Sequence, residues 1–383
     1  MAINGATRGA MTILPVTDAR SRDDFVRVPW SIYAQDRNWV PPLLLERKEA
    51  LAAKQPIFKH LEWQGWVGYV DGKPIARISA QIDQLHLQRY NDDAGFFGFI
   101  ECIDDHEAFA ALFTTAEDWL RERGMKEVRG PLNFNINQEV GLLVDGFDSP
   151  PFFMMTHAPQ YYGSQIERCG FSKAVDLFAF LISADFQPPP VMAALFKRLK
   201  RTVTIRPLNP KQVDADLETV RDIFNDAWAD NWGFVPFEKD EFRTIGHEML
   251  MLIPPDFIQI AEMHGEPVAF IVLLPNVNEA IADLDGKLFP GGWLKLLKRL
   301  KFGYPKTARI PLMGVRRHLH NTRFGPGLAL SVVEALREPG LRKGFEEVEM
   351  SWILEDNEGM KNIIETLGGK QSKRYRIYRK SLY

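Results

Sequence analysis

Four short segments from the first half of this chain recur, in the same order, in the second half, and this repetition bounds the architecture more tightly than any single motif. Thr12-Ile13-Leu14-Pro15 returns as Thr204-Ile205-Arg206-Pro207, and Gly72-Lys73-Pro74-Ile75-Ala76-Arg77-Ile78 as Gly265-Glu266-Pro267-Val268-Ala269-Phe270-Ile271. Further on, Arg123-Gly124-Met125-Lys126-Glu127-Val128 is echoed by Lys343-Gly344-Phe345-Glu346-Glu347-Val348, and Ile166-Glu167 before Gly170 by Ile364-Glu365 before Gly368. The spacing drifts: the second half gains about 27 residues between its hairpin and its long helix, and the first gains about 22 later on. Two similar halves are expected, 11–186 and 204–383, joined by a connector at 187–203 that carries Pro188, Pro189 and Pro190.

Each half reads as a short strand, one or two helices (23–35; 217–230 and 238–252), and a hairpin turning at Asp71-Gly72 or His264-Gly265. A third long strand (96–103; 308–315), an amphipathic helix (106–123; 328–337), another strand, a short helix and a last strand follow. The expected class is α/β in the α+β sense, each half a mixed, mostly antiparallel sheet flanked by helices.

Apolar residues make up 45% and charged residues 25%, which excludes a disordered or fibrous chain. A net charge of -3 gives no global field for nucleic acid, and no nucleic-acid motif accompanies the local basic stretches. Cys102 and Cys169 lack metal-ligand spacing, so neither a disulfide framework nor a metal is expected. The N-terminal stretch has no apolar run of signal-peptide length, with Met11 an alternative start, and no run is long enough to span a membrane. A cytoplasmic protein is expected, with peripheral contact at the inner membrane face as an extension of that reading.

The loop Thr322-Arg323-Phe324-Gly325-Pro326-Gly327-Leu328-Ala329 lies between an expected strand and helix. Glycines there let the backbone approach a pyrophosphate, and the helix N-terminus supplies N–H donors; a plain glycine pair before a helix is the alternative. With Met313-Gly314-Val315 ending the preceding strand, and Asn357 opening a helix that ends at Leu367-Gly368-Gly369, the order of elements resembles the GNAT acyl-CoA N-acyltransferase superfamily. The resemblance implies acyl-CoA as co-substrate, held by Arg316, Thr322, Arg323, Gly325, Gly327, Leu328 and Asn357. It also implies that the backbone N–H groups of Met313 and Val315 polarise the thioester carbonyl. Two departures stand out: Thr322 replaces the family's usual Gln or Arg, and Pro326 has no N–H. At the matching place the first half reads Ile103-Asp104-Asp105-His106-Glu107, whose acids would repel a pyrophosphate, so one CoA site per chain is expected.

The acceptor amine must lose a proton, and Glu139 is the candidate carboxylate, with a turn-organising role as the alternative. His157 and Tyr161, with Tyr162 beside it, are candidates for the same cleft, or for packing of the next short helix. Asn133, Asn135 and Asn137, and Trp228, Asn231 and Trp232 in the second half, are the candidate acceptor contacts; core packing competes for the aromatic residues. The first half is expected on the acceptor side.

The insertion at 288–304 has Trp293, Leu296, Leu297 and Leu300 at helical spacing, with Lys295, Lys298, Arg299 and Lys301 off that stripe and Phe302 at its end. This is the pattern of a helix lying on an anionic membrane surface, or else of a surface helix packed on its own domain. A second basic stretch occupies 196–201. The whole chain resembles the bacterial ceramide synthase family of tandem GNAT proteins. The marks are Gly130-Pro131-Leu132-Asn133, Glu139 with Gly146-Phe147-Asp148, and Trp228 with Asn231-Trp232-Gly233-Phe234. That resemblance implies transfer of a long acyl chain from acyl-CoA to the amine of a lipid such as a sphingoid base. The alternatives are an acetyltransferase for a small soluble amine and a non-catalytic acyl-CoA or lipid-binding protein.

Overall fold

In the computed structural model, residues 11–199, 201–320, 322 and 324–383 are described. Lys200 and Arg323 lie outside them, as do the side chains of Phe196 and Lys197. The chain divides into two units: residues up to 176 together with 375–383, and residues 177–374.

The first unit opens with β1 (Thr12–Pro15), α1 (Ala19–Ile32), α2 (Leu44–Ala50), β2 (Leu61–Val70), β3 (Lys73–Asp83), α3 (Gln84–Tyr90) and β4 (Ala94–Cys102). It continues through α4 (His106–Glu122), β5 (Glu127–Gly130), β6 (Leu132–Asn133), β7 (Glu139–Val140), β8 (Leu142–Asp145) and α5 (Tyr161–Arg168) into β9 (Ser172–Ser183). Strands β1 to β4 form an antiparallel meander and β5 joins β4 in parallel. The β2–β3 turn puts Asp71 at φ 51° and Gly72 at φ 71°, the left-handed pair that a two-residue hairpin requires. Asp18 caps α1, accepting the Ser21 N–H at 2.7 Å, and Asp105 caps α4, accepting the Ala108 N–H at 3.1 Å. One of the three first-half acids is therefore a helix cap.

The second unit contains α6 (Pro190–Leu199), β10 (Val203–Pro207), α7 (Val213–Ala227), α8 (Lys239–Leu250), β11 (Ile258–Met263) and β12 (Glu266–Pro275). Next come α9 (Val277–Ile281), α10 (Gly292–Phe302), β13 (Thr307–Val315), α11 (Arg317–His320), α12 (Gly325–Lys343), β14 (Glu347–Leu354), α13 (Glu358–Thr366) and β15 (Lys370–Ser381). The meander recurs over β10 to β13, with His264 at φ 55° and Gly265 at φ 85° in the hairpin, and β14 joins β13 in parallel. The two faces of this sheet can be told apart. A side chain at Gly314 would meet Phe270 and Ala227 of α7, whereas Leu273, the opposite parity on β12, faces Gly340 of α12. Helices on both faces explain why β12 is buried continuously from Val268 to Pro275.

The division between units falls inside β9 and inside β15. Residues 177–183 of β9 pair with β14 and belong to the second unit. Residues 378–381 of β15 pair with β5 and belong to the first. The last strand of each half thus completes the other half's sheet. In the first unit this strand is anchored by Arg376 on Asp176 at 2.8 Å, by Lys380 on the buried Glu117 carboxylate at 2.6 Å, and by Arg121 on the Leu382 carbonyl at 2.9 Å. Deleting residues 375–383 should therefore unfold the first unit rather than trim a tail. A thermal melt with limited proteolysis checks this, and a deletion that melts like the full chain and resists protease equally would contradict it.

Candidate active site

Strand β13 stays in parallel register with β14 only from Thr307 to Ile310, opposite Glu347 to Met350, and then leaves it. A bulge between the pairs Leu274–Arg309 and Val272–Leu312, at Pro311, accompanies the parting. Beyond the bulge the Arg316 N–H donates to the Val268 carbonyl at 2.9 Å. By antiparallel alternation Gly314 and Leu312 also turn their backbone groups toward β12, and Met313 and Val315 turn theirs away. Both outward carbonyls are taken: Met313 O by the Trp228 indole N–H at 2.8 Å, Val315 O by His320 Nε2 at 2.6 Å. The two outward N–H groups have no partner among the described residues. They are a pair of parallel donors on the open side of the strand, suited to an oxygen that gains negative charge.

The α12 terminus lies just downstream. Gly325 is required by packing, since a Cβ there would stand 2.6 Å from the Leu319 carbonyl oxygen and 2.7 Å from that of His320. No side chain caps the helix. The Thr322 hydroxyl donates to the Leu319 carbonyl at 2.8 Å and accepts the Phe324 N–H at 3.2 Å, so it organises the turn. The Gly325 and Leu328 N–H groups are bonded to Thr322 O and Phe324 O, and Pro326 has none, which leaves Gly327 as the first-turn donor for an anion among the described residues.

The repeat equates Ala76 with Ala269, and the register places Cys102 opposite the first and Val315 opposite the second. At Cys102 the corresponding strand end is closed. Its N–H donates to the Tyr162 hydroxyl at 2.8 Å and its carbonyl accepts the Tyr161 hydroxyl at 2.8 Å. One turn of strand earlier the Phe99 N–H, at the bulge of β4, donates to Asn133 Oδ1 at 2.8 Å. Strand β6 presses against β4 so closely that a Cβ on Gly98 would fall 1.9 Å from the Leu132 carbonyl oxygen. The first unit has filled the gap that the second leaves open.

No protein-family model matches the chain. It is 48% identical over 359 residues to protein YghO of Escherichia coli, covering 94% of this chain and 92% of that one. It is 42% identical over 380 residues to the bacterial ceramide synthase of Caulobacter vibrioides, covering 98% and 99%. Among solved structures it resembles a tandem GNAT protein from the clavulanic acid biosynthesis pathway, with TM-score 0.58, 11% identity and coverage of 98% and 99%. It also resembles a GCN5-related N-acetyltransferase from Sphaerobacter thermophilus, with TM-score 0.51, 13% identity and coverage of 97% and 96%. This chain belongs to the family of protein YghO and the bacterial ceramide synthase, and it has the tandem GNAT fold.

The remaining candidate residues of this GNAT chain fall into two groups. In the first unit Glu139 is ion-paired with Arg47 and accepts Asn133 Nδ2 at 3.0 Å. Burial pushes its carboxyl up, but Arg47 and Asn133 outweigh burial and hold it below the usual carboxylate range. His157 is bonded through Nε2 to Asp36 at 2.7 Å. The Asn135 amide donates to Asp83 at 3.2 Å, and its oxygen accepts the Asn137 N–H at 3.1 Å. Each of these side chains is committed to a polar partner within the first unit. In the second unit Arg316 is paired with Asp222 at 2.5 Å, and Asn357 caps α13 through the Met360 N–H at 3.1 Å. Trp228 packs at a tilt against Phe224 with centroids 4.9 Å apart, while Asn231 and Trp232 are half-buried in the following turns. Among the described residues no group of three His, Cys, Asp or Glu side chains could hold a metal, and no helix is long and apolar enough to cross a membrane.

Helix α10 divides its apolar stripe. Leu296 and Leu300 are half-buried, and Arg299 is tied to Asp283 and to the Ala280 carbonyl at 2.7 Å. Trp293 is 44% exposed, Leu294 54%, Leu297 56%, Phe302 77% and neighbouring Phe289 69%. The outward face is therefore apolar and aromatic, with Lys295, Lys298 and Lys301 exposed beside it.

Glu349 on β14 is fully buried, although the alternation Glu347-Val348-Glu349 looks like a solvent-facing edge.

The Glu139–Arg47 pair also couples stability to pH. A carboxyl held below its unfolded value contributes stability that is present above that value and lost as pH falls through the folded one. Arg47→Met leaves Glu139 buried without its counter-charge and should cost about 3 kcal/mol. Urea unfolding checks this, and a midpoint equal to wild type at pH 7 would contradict it.

Proposed function

We propose that this protein is an acyl-CoA-dependent N-acyltransferase whose second unit binds the donor and which moves a long acyl chain onto the amine of a lipid such as a sphingoid base. The observation that carries this reading is the pair of unpartnered N–H groups of Met313 and Val315 on the open side of β13. Donors fixed on a strand polarise a thioester carbonyl without reorganisation, and they hold the oxyanion as the amine adds. The uncapped α12 terminus with Gly325 and Gly327 supports a pyrophosphate nearby. The name of the Caulobacter relative, at 42% identity over nearly the full chain, supports a lipid acceptor.

The exposed face of α10 supports the same conclusion on independent grounds. Five large apolar side chains beside three lysines suit an anionic bilayer surface, where a long-chain amine would be delivered.

Long-chain acyl-CoA mixed with sphinganine should release CoA thiol and yield the N-acyl product by mass spectrometry. No turnover with either long-chain acyl-CoA or acetyl-CoA would remove the reading, and turnover confined to acetyl-CoA and small soluble amines would replace the lipid acceptor. Gly325→Ala, which forces α12 away from α11, should weaken CoA binding by about tenfold in calorimetry while the melting profile stays sharp; unchanged affinity would count against the loop. Joint replacement of Trp293 and Leu297 by Glu should abolish co-sedimentation with phosphatidylglycerol vesicles, since each inserted side chain contributes about 1.5 to 3 kcal/mol. Undiminished sedimentation of that variant would count against membrane contact through α10.

A further inference from the structure

Glu349 has no part in the roles described so far. Its Oε1 accepts the Ser351 hydroxyl at 2.8 Å, and Ser351 Oγ accepts Arg309 Nε at 2.9 Å. Arg309 Nε itself stays 3.9 Å from Oε1, so the serine hydroxyl stands between the two charges. Glu349 Oε2 is buried and has no hydrogen-bond partner among the described residues. An unsatisfied buried carboxylate oxygen is costly, and such costs persist where a ligand completes the bonding.

The position of the group says which ligand. Gly314 and Phe270 face α7. Alternation carries that face along β12 to Leu274, and cross-strand pairing carries it to Arg309 and then to Glu349. Glu349 and Ser351 therefore sit on the α7 side of the sheet, the side whose helix supplies Trp228 to the Met313 carbonyl. They stand where the β13–β14 pairing ends, at Ile310 and Met350, next to the opening that exposes the Met313 and Val315 N–H groups.

We propose that Glu349 Oε2 is the proton acceptor of acyl transfer, taking one proton from the acceptor's ammonium group before its nitrogen attacks the thioester. This rests on the reading of the second unit as the acyl-CoA site. The nitrogen lone pair forms the C–N bond, and the C–S bond breaks with its electron pair going to sulfur. The second nitrogen proton neutralises the CoA thiolate. The proton held by Glu349 then passes to solvent, so the ammonium and thioester give amide, CoA thiol and one proton. The charged groups acting on Glu349 are Arg309 from β13 and Lys373 from β15; its β9 partner, Leu181, carries none. Burial lifts the carboxyl above the usual carboxylate range against the pull of Arg309, Ser351 and Lys373, which brings its basicity closer to neutral pH.

The test is the pH profile of kcat for the full chain with long-chain acyl-CoA and sphinganine. Wild type should show an acidic limb, because a protonated Glu349 cannot accept. Glu349→Gln should lower kcat about 100-fold and remove that limb, with calorimetric CoA affinity unchanged. A folded E349Q that keeps the wild-type kcat and limb overturns the proposal, as does a loss of activity matched by an equal loss of CoA binding. If E349Q does not fold, Ser351→Ala carries the test. Removing the donor to Oε1 should move the limb to higher pH at unchanged CoA affinity, and an unmoved limb overturns the proposal. A wild-type chain that turns over no acyl-CoA overturns the acyl-CoA reading itself, and this inference with it; active wild type with an indifferent E349Q overturns this inference alone.

Discussion

Backbone N–H groups that turn away from a sheet ladder must find another acceptor or remain available, and the two halves of this chain treat theirs in opposite ways. In the first unit the end of β4 is sealed by Tyr161, Tyr162 and Asn133, and β6 lies against Gly98. In the second, side chains take only the carbonyls of Met313 and Val315. The Trp228 bond also fixes the orientation of the strand end, because a carbonyl held by an indole keeps the peptide on its other side pointing outward. The candidate chemistry of the second unit depends on this one difference within a shared meander.

Much of the architecture was legible in the sequence. Asp71-Gly72 and His264-Gly265 announce left-handed hairpin turns, and both occur where the repeat aligns them. The amphipathic helix after the fourth strand is evident in both halves because its apolar period is intact from Phe109 to Leu120 and from Leu328 to Leu336. The exchange of final strands was not legible. Strands β9 and β15 carry ordinary alternation along their length, and nothing local specifies that one strand serves two units.

The site was legible only in part. Met313, Val315 and the glycine loop stand out as candidates because strand, glycines and helix occur in a fixed order. Glu139 stands out in the sequence as a carboxylate among asparagines, and its two oxygens are committed to Arg47 and Asn133. Glu349 does not stand out in the sequence, because burial of a strand's polar face depends on which helix covers it, and no periodicity in β14 reports that. The stripe on α10 was legible as amphipathic, but its division was not: Leu296 and Leu300 are half-buried, whereas Trp293 and Leu297 face outward. Arg299 is tied to the Ala280 carbonyl of α9 and to Asp283, and the outward surface is built from Trp293, Leu294 and Leu297.

Of the two strand ends, we propose that the second unit's alone receives a thioester. Calorimetric titration of the full chain with CoA tests it most directly. One CoA should bind per chain, with the stoichiometry unchanged when Asn133→Ala frees the Phe99 N–H in the first unit. Two equivalent sites, or a single site that survives loss of the second unit's glycine loop, would contradict it.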